Sequence, residues 1–303
     1  MSSTRRRFLQ EISCPLRKVC VMKTSINEIL KSATARLVDG NIDSPRLDAE
    51  VLLAHVLNCR RLDLYVDAGK ILPLEKVLRF NELVNRRLEK IPVAYLTGTR
   101  EFMGLKFSVT PDVLIPRPDT EIVTEFVGEF LRSLDREVTF ADLGTGSGAI
   151  CVSILKFVKT ARACAVDVSS KALEVAELNA RKFYVDDRAE FFCGDMFAPL
   201  TGKIFDAIVS NPPYIPTGDL PTLQAEVQSE PTLALDGGAD GLDFYRRIAV
   251  ASPKFLCAGG LLAVEIGVNQ ASAVKELFTR AGFADVKILR DLSGIERVVF
   301  GQI

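Results

Sequence analysis

Tryptophan is absent from this 303-residue chain and histidine occurs once, at His55. A single histidine rules out a histidine-rich metal site. His55 also falls inside the apolar helical run 47–57, so it reads as a helix residue rather than a base. The seven cysteines, at positions 14, 20, 59, 151, 164, 193 and 257, form no C-x-x-C pair, which leaves no metal-ligand or dithiol spacing. Cys151, Cys164 and Cys193 lie in or beside apolar elements and read as small core residues, which fits a reduced cytoplasmic setting. No apolar run reaches the length of a membrane span, and no apolar segment of a secretory signal is present. The formal net charge is −1, which argues against a large phosphate-neutralising surface without excluding a local basic patch. Hydrophobic residues make up 48% of the chain, enough for a substantial core, and the length suggests two domains.

Against this background, two short segments carry chemistry. The first is Gly144-Thr145-Gly146-Ser147-Gly148, between an apolar strand expected at 138–143 and an apolar helical run at 149–158. Glycines there permit a tight turn and close approach of a ligand to the backbone, with a helix N-terminus beyond. A second expected strand ends at Asp167, about 20 residues after the glycines, where a carboxylate accepts hydrogen bonds from a ribose diol in nucleoside-cofactor folds. Gly144, Gly146 and Ala149 also satisfy the dinucleotide pattern G-x-G-x-x-G/A. The loop alone therefore leaves a nicotinamide cofactor open.

The second segment is Asn211-Pro212-Pro213-Tyr214, after an apolar strand expected at 204–210. Two successive prolines fix φ and donate no hydrogen bond, and Asn211 is pushed out of helical conformation. Such a rigid loop presents a side-chain amide, free carbonyls and an aromatic ring. An amide donates at one end and accepts at the other, which suits recognition of another planar N–C=O group.

Taken in order, Asp142 through Gly148, Asp167, Gly194-Asp195-Met196-Phe197 and Asn211 through Tyr214 resemble the motifs of S-adenosylmethionine-dependent amino-methyltransferases. Arg100 through Leu105, Leu114 through Glu121 and Gly241-Leu242-Asp243-Phe244-Tyr245 narrow the resemblance to the HemK/PrmC family, which methylates the glutamine side chain of peptide-chain release factors. It covers roughly residue 22 to the C-terminus. Met103 and Met196 depart from the family, which often carries an aromatic residue at these places; a Met thioether fills an apolar slot at Met196.

The resemblance implies S-adenosylmethionine as cofactor, held by Asp142, Gly144, Thr145, Gly146, Ser147, Gly148, Asp167, Asp195, Met196 and Asn211. It implies the glutamine of a Gly-Gly-Gln loop in release factors as the methyl acceptor. Asn211, Pro212 and Tyr214 are the candidate catalytic residues, and Pro213, Phe102 and Arg117 join them as candidate substrate contacts. The Asn211 side-chain oxygen and the Pro212 carbonyl would each accept an N–H of the acceptor amide, with Tyr214 or Phe102 packed on its plane. Asp195 would contact the adenine amino group. Arg117, between two prolines, would bind the cofactor carboxylate or an acidic patch on the substrate, or close the linker.

Along the chain, four regions are expected. Residues 1–22 carry five basic residues against Glu11 and read as a disordered extension, an upstream start before Met22, or a transit peptide. Residues 23–97 read as a helical domain, opened by a Ser25-to-Glu28 capping box, with Pro45 at a later helix start and a third helix at 74–90. The resemblance implies that this domain helps recognise the protein substrate. Residues 98–116 read as a β-hairpin linker, with strands at 102–109 and 113–115 around a turn at 110–112. Residues 117–303 alternate helix and strand, with strands near 138–143, 162–167, 189–193, 204–210, 260–266, 284–290 and 295–301. The expected fold is α/β: a Rossmann-like, mostly parallel seven-stranded sheet with a final antiparallel hairpin, preceded by a small helical bundle. Three other readings compete: an adenine-N6 methyltransferase acting on a flipped nucleic-acid base, a non-catalytic cofactor-binding or release-factor-binding module, and a nicotinamide-dependent dehydrogenase. The near-neutral charge and the helical N-terminal region weigh against the first. The intact motifs weigh against the second, and the lack of a proton-relay residue weighs against the third.

Overall fold

The protein is described by a computed structural model that covers residues 24–303; the reading of 1–22 lies outside the described residues. Its chain divides into two compact units between Val84 and Asn85.

The first unit is helical. Helix α1 (Ile26–Asp39) starts at a reciprocal cap: Glu28 N donates to the Ser25 hydroxyl at 3.3 Å, and Ser25 N donates to the Glu28 carboxylate at 2.8 Å. This satisfies two of the N–H groups that a helix start leaves orphaned. Ile26, Ile29, Leu30, Ala33 and Leu37 are all buried, as their helical spacing predicts. Helix α2 (Pro45–Leu57) carries proline in its first turn, and α3 (Arg61–Val66) follows. Six residues are too few for periodicity to reveal α3. Helix α4 (Leu74–Leu88) contains the division between the units and ends before Lys90, whose φ of +65° is left-handed.

The second unit opens with α5 (Val93–Thr97) and the hairpin β1 (Thr99–Phe102) and β2 (Leu105–Ser108). This corrects the expected hairpin. The turn is at Met103-Gly104, where both residues have positive φ (+51° and +68°), the backbone demanded by a two-residue hairpin loop. Methionine seldom adopts it, so the sequence carries little turn signal at 103–104, whereas Thr110-Pro111-Asp112 has the composition of a turn. Glu121 holds the turn by accepting from Met103 N at 2.6 Å.

The chain then runs α6 (Thr120–Ser133), β3 (Val138–Leu143), α7 (Ala149–Phe157), β4 (Ala161–Asp167), α8 (Ser170–Lys182), β5 (Ala189–Cys193), β6 (Phe205–Ser210), the short α9 (Ala225–Gln228), α10 (Asp243–Ala251), β7 (Leu256–Glu265), α11 (Ala271–Arg280), β8 (Ala284–Arg290) and β9 (Glu296–Gln302). The sheet order is β5-β4-β3-β6-β7-β9-β8. Its first five strands pair in parallel, and β9 pairs antiparallel with β7 and β8. The expected fold and final hairpin are thus present. Every residue of β6 is buried, as a central strand covered on both faces requires.

Alternate residues of each strand enter opposite layers. Phe140, Ala163, Val209 and Ala263 join Val123 and Val127 of α6 and Val152 of α7 in one core. Their neighbours Ala141, Cys164, Ile208 and Val264 join Tyr245 and Ile248 of α10 and Phe278 of α11 in the other. After β5 the chain returns to the far side of β3, so the strand order reverses between β3 and β6. A crevice for ligands is expected at such a switch point, beyond the carboxyl ends of the strands.

Candidate active site

At that switch point lies a cavity of about 350 Å³, and its wall includes Gly144, Gly146, Asp167, Asp195, Met196, Asn211, Pro212 and Pro213. Residues far apart in sequence thus meet because β3, β4 and β6 are adjacent and parallel. Ser210 clamps two of these ends together, its hydroxyl donating to Leu143 O at 2.7 Å.

The glycine loop is built by backbone geometry. Gly144 N and Thr145 N both donate to Val166 O, at 2.8 and 3.0 Å. Gly144 and Gly146 have φ of +73° and +56°, and a Cβ on either would meet no protein atom within 4 Å. Their missing side chains leave that space to a ligand. Asp167 closes the loop from β4: one carboxylate oxygen accepts from Gly146 N and the other from Ser169 N, both at 2.9 Å. Burial pushes its pKa up, and the two backbone donors oppose that shift.

Asp142, Thr145, Ser147 and Gly148 are not part of the cavity wall. Asp142 is fully buried and holds the loop from behind, accepting from the Thr145 hydroxyl at 2.7 Å and from Cys151 N at 3.2 Å. Its other oxygen has no partner, and burial raises its pKa to about 7. Asp195, by contrast, is exposed and paired with Arg247 at 2.6 Å.

On the other side, Asn211 Nδ2 donates to the Thr120 hydroxyl oxygen at 3.1 Å. Pro212 and Pro213 lie in the cavity wall, but Tyr214 does not. Its ring packs against the core under α10, its carbonyl accepts from Gln270 Nε2 at 2.9 Å, and burial raises its pKa to about 12. Phe102 requires a correction. It is 1% exposed and sits edge-on to Phe107 at 6.0 Å, because it is the core-facing residue at the end of β1. No face of its ring is free for a substrate. Arg117 is also outside the cavity wall; it pairs with the buried Glu230, which accepts from Ile115 N at 3.0 Å. That pair ties Arg117 to the segment around Ile115.

Several wall residues carry no site signal in the sequence. Val113 reads as strand, Leu114 belongs to a motif without a role of its own, Leu233 and Ala234 lie in a stretch without periodicity, and Arg247 is one charge on an amphipathic helix. The Gly241-to-Tyr245 segment did carry a signal. Gly241 approaches Tyr214 so closely that a Cβ would lie 2.3 Å from its carbonyl oxygen, Phe244 reaches the cavity, and Tyr245 is buried beneath. Among the described residues no His, Cys, Asp and Glu cluster suits a metal, and no helix is long and apolar enough to cross a membrane.

A parallel sheet with its glycine loop, a carboxylate at the end of the neighbouring strand and an asparagine-proline-proline loop around one cavity is the arrangement of a methyltransferase, and residues 121–226 match the methyltransferase small domain model. The cofactor of this class is S-adenosylmethionine, and the cavity fits it: a Cβ-free glycine wall, a carboxylate beside it, and apolar Met196 and Phe244 along the cavity. Residues 28–98 match the PrmC N-terminal domain model. The chain is 44% identical over 280 residues to the release factor glutamine methyltransferase of Geobacter sulfurreducens, covering 92% of this chain and 97% of that one. It is 46% identical over 274 residues to the protein of the same name from Moorella thermoacetica, covering 90% and 96%. The chain belongs to the release factor glutamine methyltransferase family. The catalytic domain of hMettl16 in complex with the MAT2A 3′UTR hairpin 6 shares the fold, with a TM-score of 0.55 at 15% identity over 77% of this chain and 84% of that one.

Proposed function

We propose that this enzyme transfers a methyl group to the side-chain amide nitrogen of the glutamine in the Gly-Gly-Gln loop of peptide-chain release factors. The observation that carries the reading is that Asn211, Pro212 and Pro213 share one cavity wall with Gly144, Gly146 and Asp167, so an amide-recognition loop faces the cofactor loop. Family membership supports the same acceptor.

S-adenosylmethionine, when bound, supplies an electrophilic methyl group on a sulfonium. An amide nitrogen is a weak nucleophile, because its lone pair is delocalised into the carbonyl. The protein therefore works by holding that nitrogen still and stabilising the charge it gains. Asn211 Oδ1 accepts one N–H of the glutamine amide and the Pro212 carbonyl accepts the other, which aims the lone pair across the cavity. Methylation of that nitrogen would release one amide proton, which water can accept. Asp167 would accept from the ribose hydroxyls, and Met196 and Phe244 would pack on the cofactor's apolar surface. The helices of the first unit dock the remaining surface of the factor, in a cytoplasmic reaction.

Incubation with labelled cofactor tests the reading on three acceptors: a purified release factor, the same factor with its motif glutamine replaced by alanine, and an adenine-containing oligonucleotide. Label in the first alone is expected. Label in the oligonucleotide with none in the factor would move the assignment to a nucleic-acid adenine methyltransferase.

A further inference from the structure

One buried acid near the site has no role in the scheme above. Glu265, the last residue of β7, is 2% exposed, and its Oε2 has no hydrogen-bond partner. β7 lies next to β6 in the sheet, with Val264 beside Ser210, so Glu265 stands next to the start of the tetrapeptide. Thr120 and Asn211 both lie near its carboxyl and favour its charged form. Between them, Asn211 Nδ2 donates to the Thr120 hydroxyl oxygen at 3.1 Å.

Counting hydrogens makes this arrangement directional. A threonine hydroxyl has one hydrogen, and an ionised carboxylate only accepts. With that hydrogen given to Glu265, Thr120 offers Asn211 only lone pairs, so the amide must turn its NH2 end inward. Oδ1 is then the end left for the cavity, and it is the end that can accept an N–H of a substrate amide. We propose that Thr120 and Glu265 are positioning residues that fix the orientation of the Asn211 amide and so the polarity of the acceptor site. The inference rests on the reading of Asn211 given above.

A neutral Glu265 reverses the count. It donates to Thr120, whose hydrogen is released to Asn211, and a flipped amide then presents NH2, which cannot accept from the substrate. Burial and Asp119 raise the Glu265 pKa to about 7 against the pull of Thr120, Arg297 and Asn211. The other titratable groups near it are Tyr214 and Tyr245, both kept neutral by burial, with the Tyr245 hydroxyl donating to Glu265 O at 2.9 Å.

The test is single-turnover methylation of a release factor at saturating cofactor, with calorimetry of cofactor binding and a melting curve for each variant. Wild-type activity establishes the acceptor first; its absence would count against the function and not against the relay. Thr120→Val should lower the rate by about tenfold to a hundredfold, the scale of a misplaced reacting group, with cofactor affinity within about twofold; Thr120→Ser should restore most of the rate. In wild type the rate should rise with pH through about 7, and Glu265→Gln should flatten that limb. A Thr120→Val enzyme with full rate overturns the proposal, as does a Glu265→Gln enzyme that keeps the wild-type pH limb. If Glu265→Gln does not fold, the Thr120 pair decides alone.

Discussion

The two walls of the cavity are built by different means. On the cofactor side, backbone makes the site: left-handed glycines, amides bonded across to Val166 and Asp167, and a buried aspartate behind the loop. On the other side a single side-chain amide, Asn211, is held by Thr120, and in the function proposed above what matters is which of its ends faces the cavity. Backbone geometry tolerates the loss of a single side-chain contact, because several amides share the work. An oriented amide has no substitute. The difference predicts that variants on the cofactor side change affinity, whereas variants on the acceptor side change rate.

Asn211→Ala should break that comparison most sharply. Turnover should fall by about 10²–10³-fold, the range for losing one preorganised group at a reacting centre, while calorimetry finds cofactor affinity little changed. Asp167→Ala is the converse. It removes the carboxylate proposed to accept from a ribose diol and should weaken S-adenosylmethionine binding by about 1–3 kcal/mol in calorimetry, with the rate at saturating cofactor largely kept.

Asp142 offers a stability test on the cofactor side. Its folded-state pKa is raised by burial from 3.8 to about 7, so the folded form holds a proton that the unfolded chain has lost. Stability is therefore full below the unfolded value and declines as pH rises towards about 7. Asp142→Asn should melt a few degrees higher than wild type at alkaline pH, with a smaller gain at acidic pH. The smallest effect is expected for Arg247→Ala. Its partner Asp195 is exposed, and an exposed pair contributes about 0–1 kcal/mol, so cofactor affinity should change by less than about fivefold in the same calorimetry.

The sheet was legible in the sequence because its strands are continuous apolar runs bounded by turn residues, and β6 is the plainest case. The short helices α3 and α5 were not, since neither completes enough turns to show a period. The β1–β2 turn was missed because Met103 takes a backbone that methionine rarely uses. At the site, the motif glycines, Asp167 and Asn211 stood out by chemistry and spacing. Phe102 drew attention as an aromatic beside a motif, yet strand alternation turns it into the core. Glu265 gave no signal, and Thr120 stood only within the Leu114-to-Glu121 motif with no role of its own, because a threonine at a helix start and an acid at a strand end are ordinary until the fold brings them near Asn211.

The most direct test of the central claim is mass spectrometry of a release factor after incubation with the enzyme and S-adenosylmethionine, with fragmentation to place the modification. One added methyl on the side-chain amide of the Gly-Gly-Gln glutamine, absent when Asn211→Ala replaces the wild type, is the predicted result. An unmodified glutamine, with methyl found on adenine or on another residue of the factor, would contradict it.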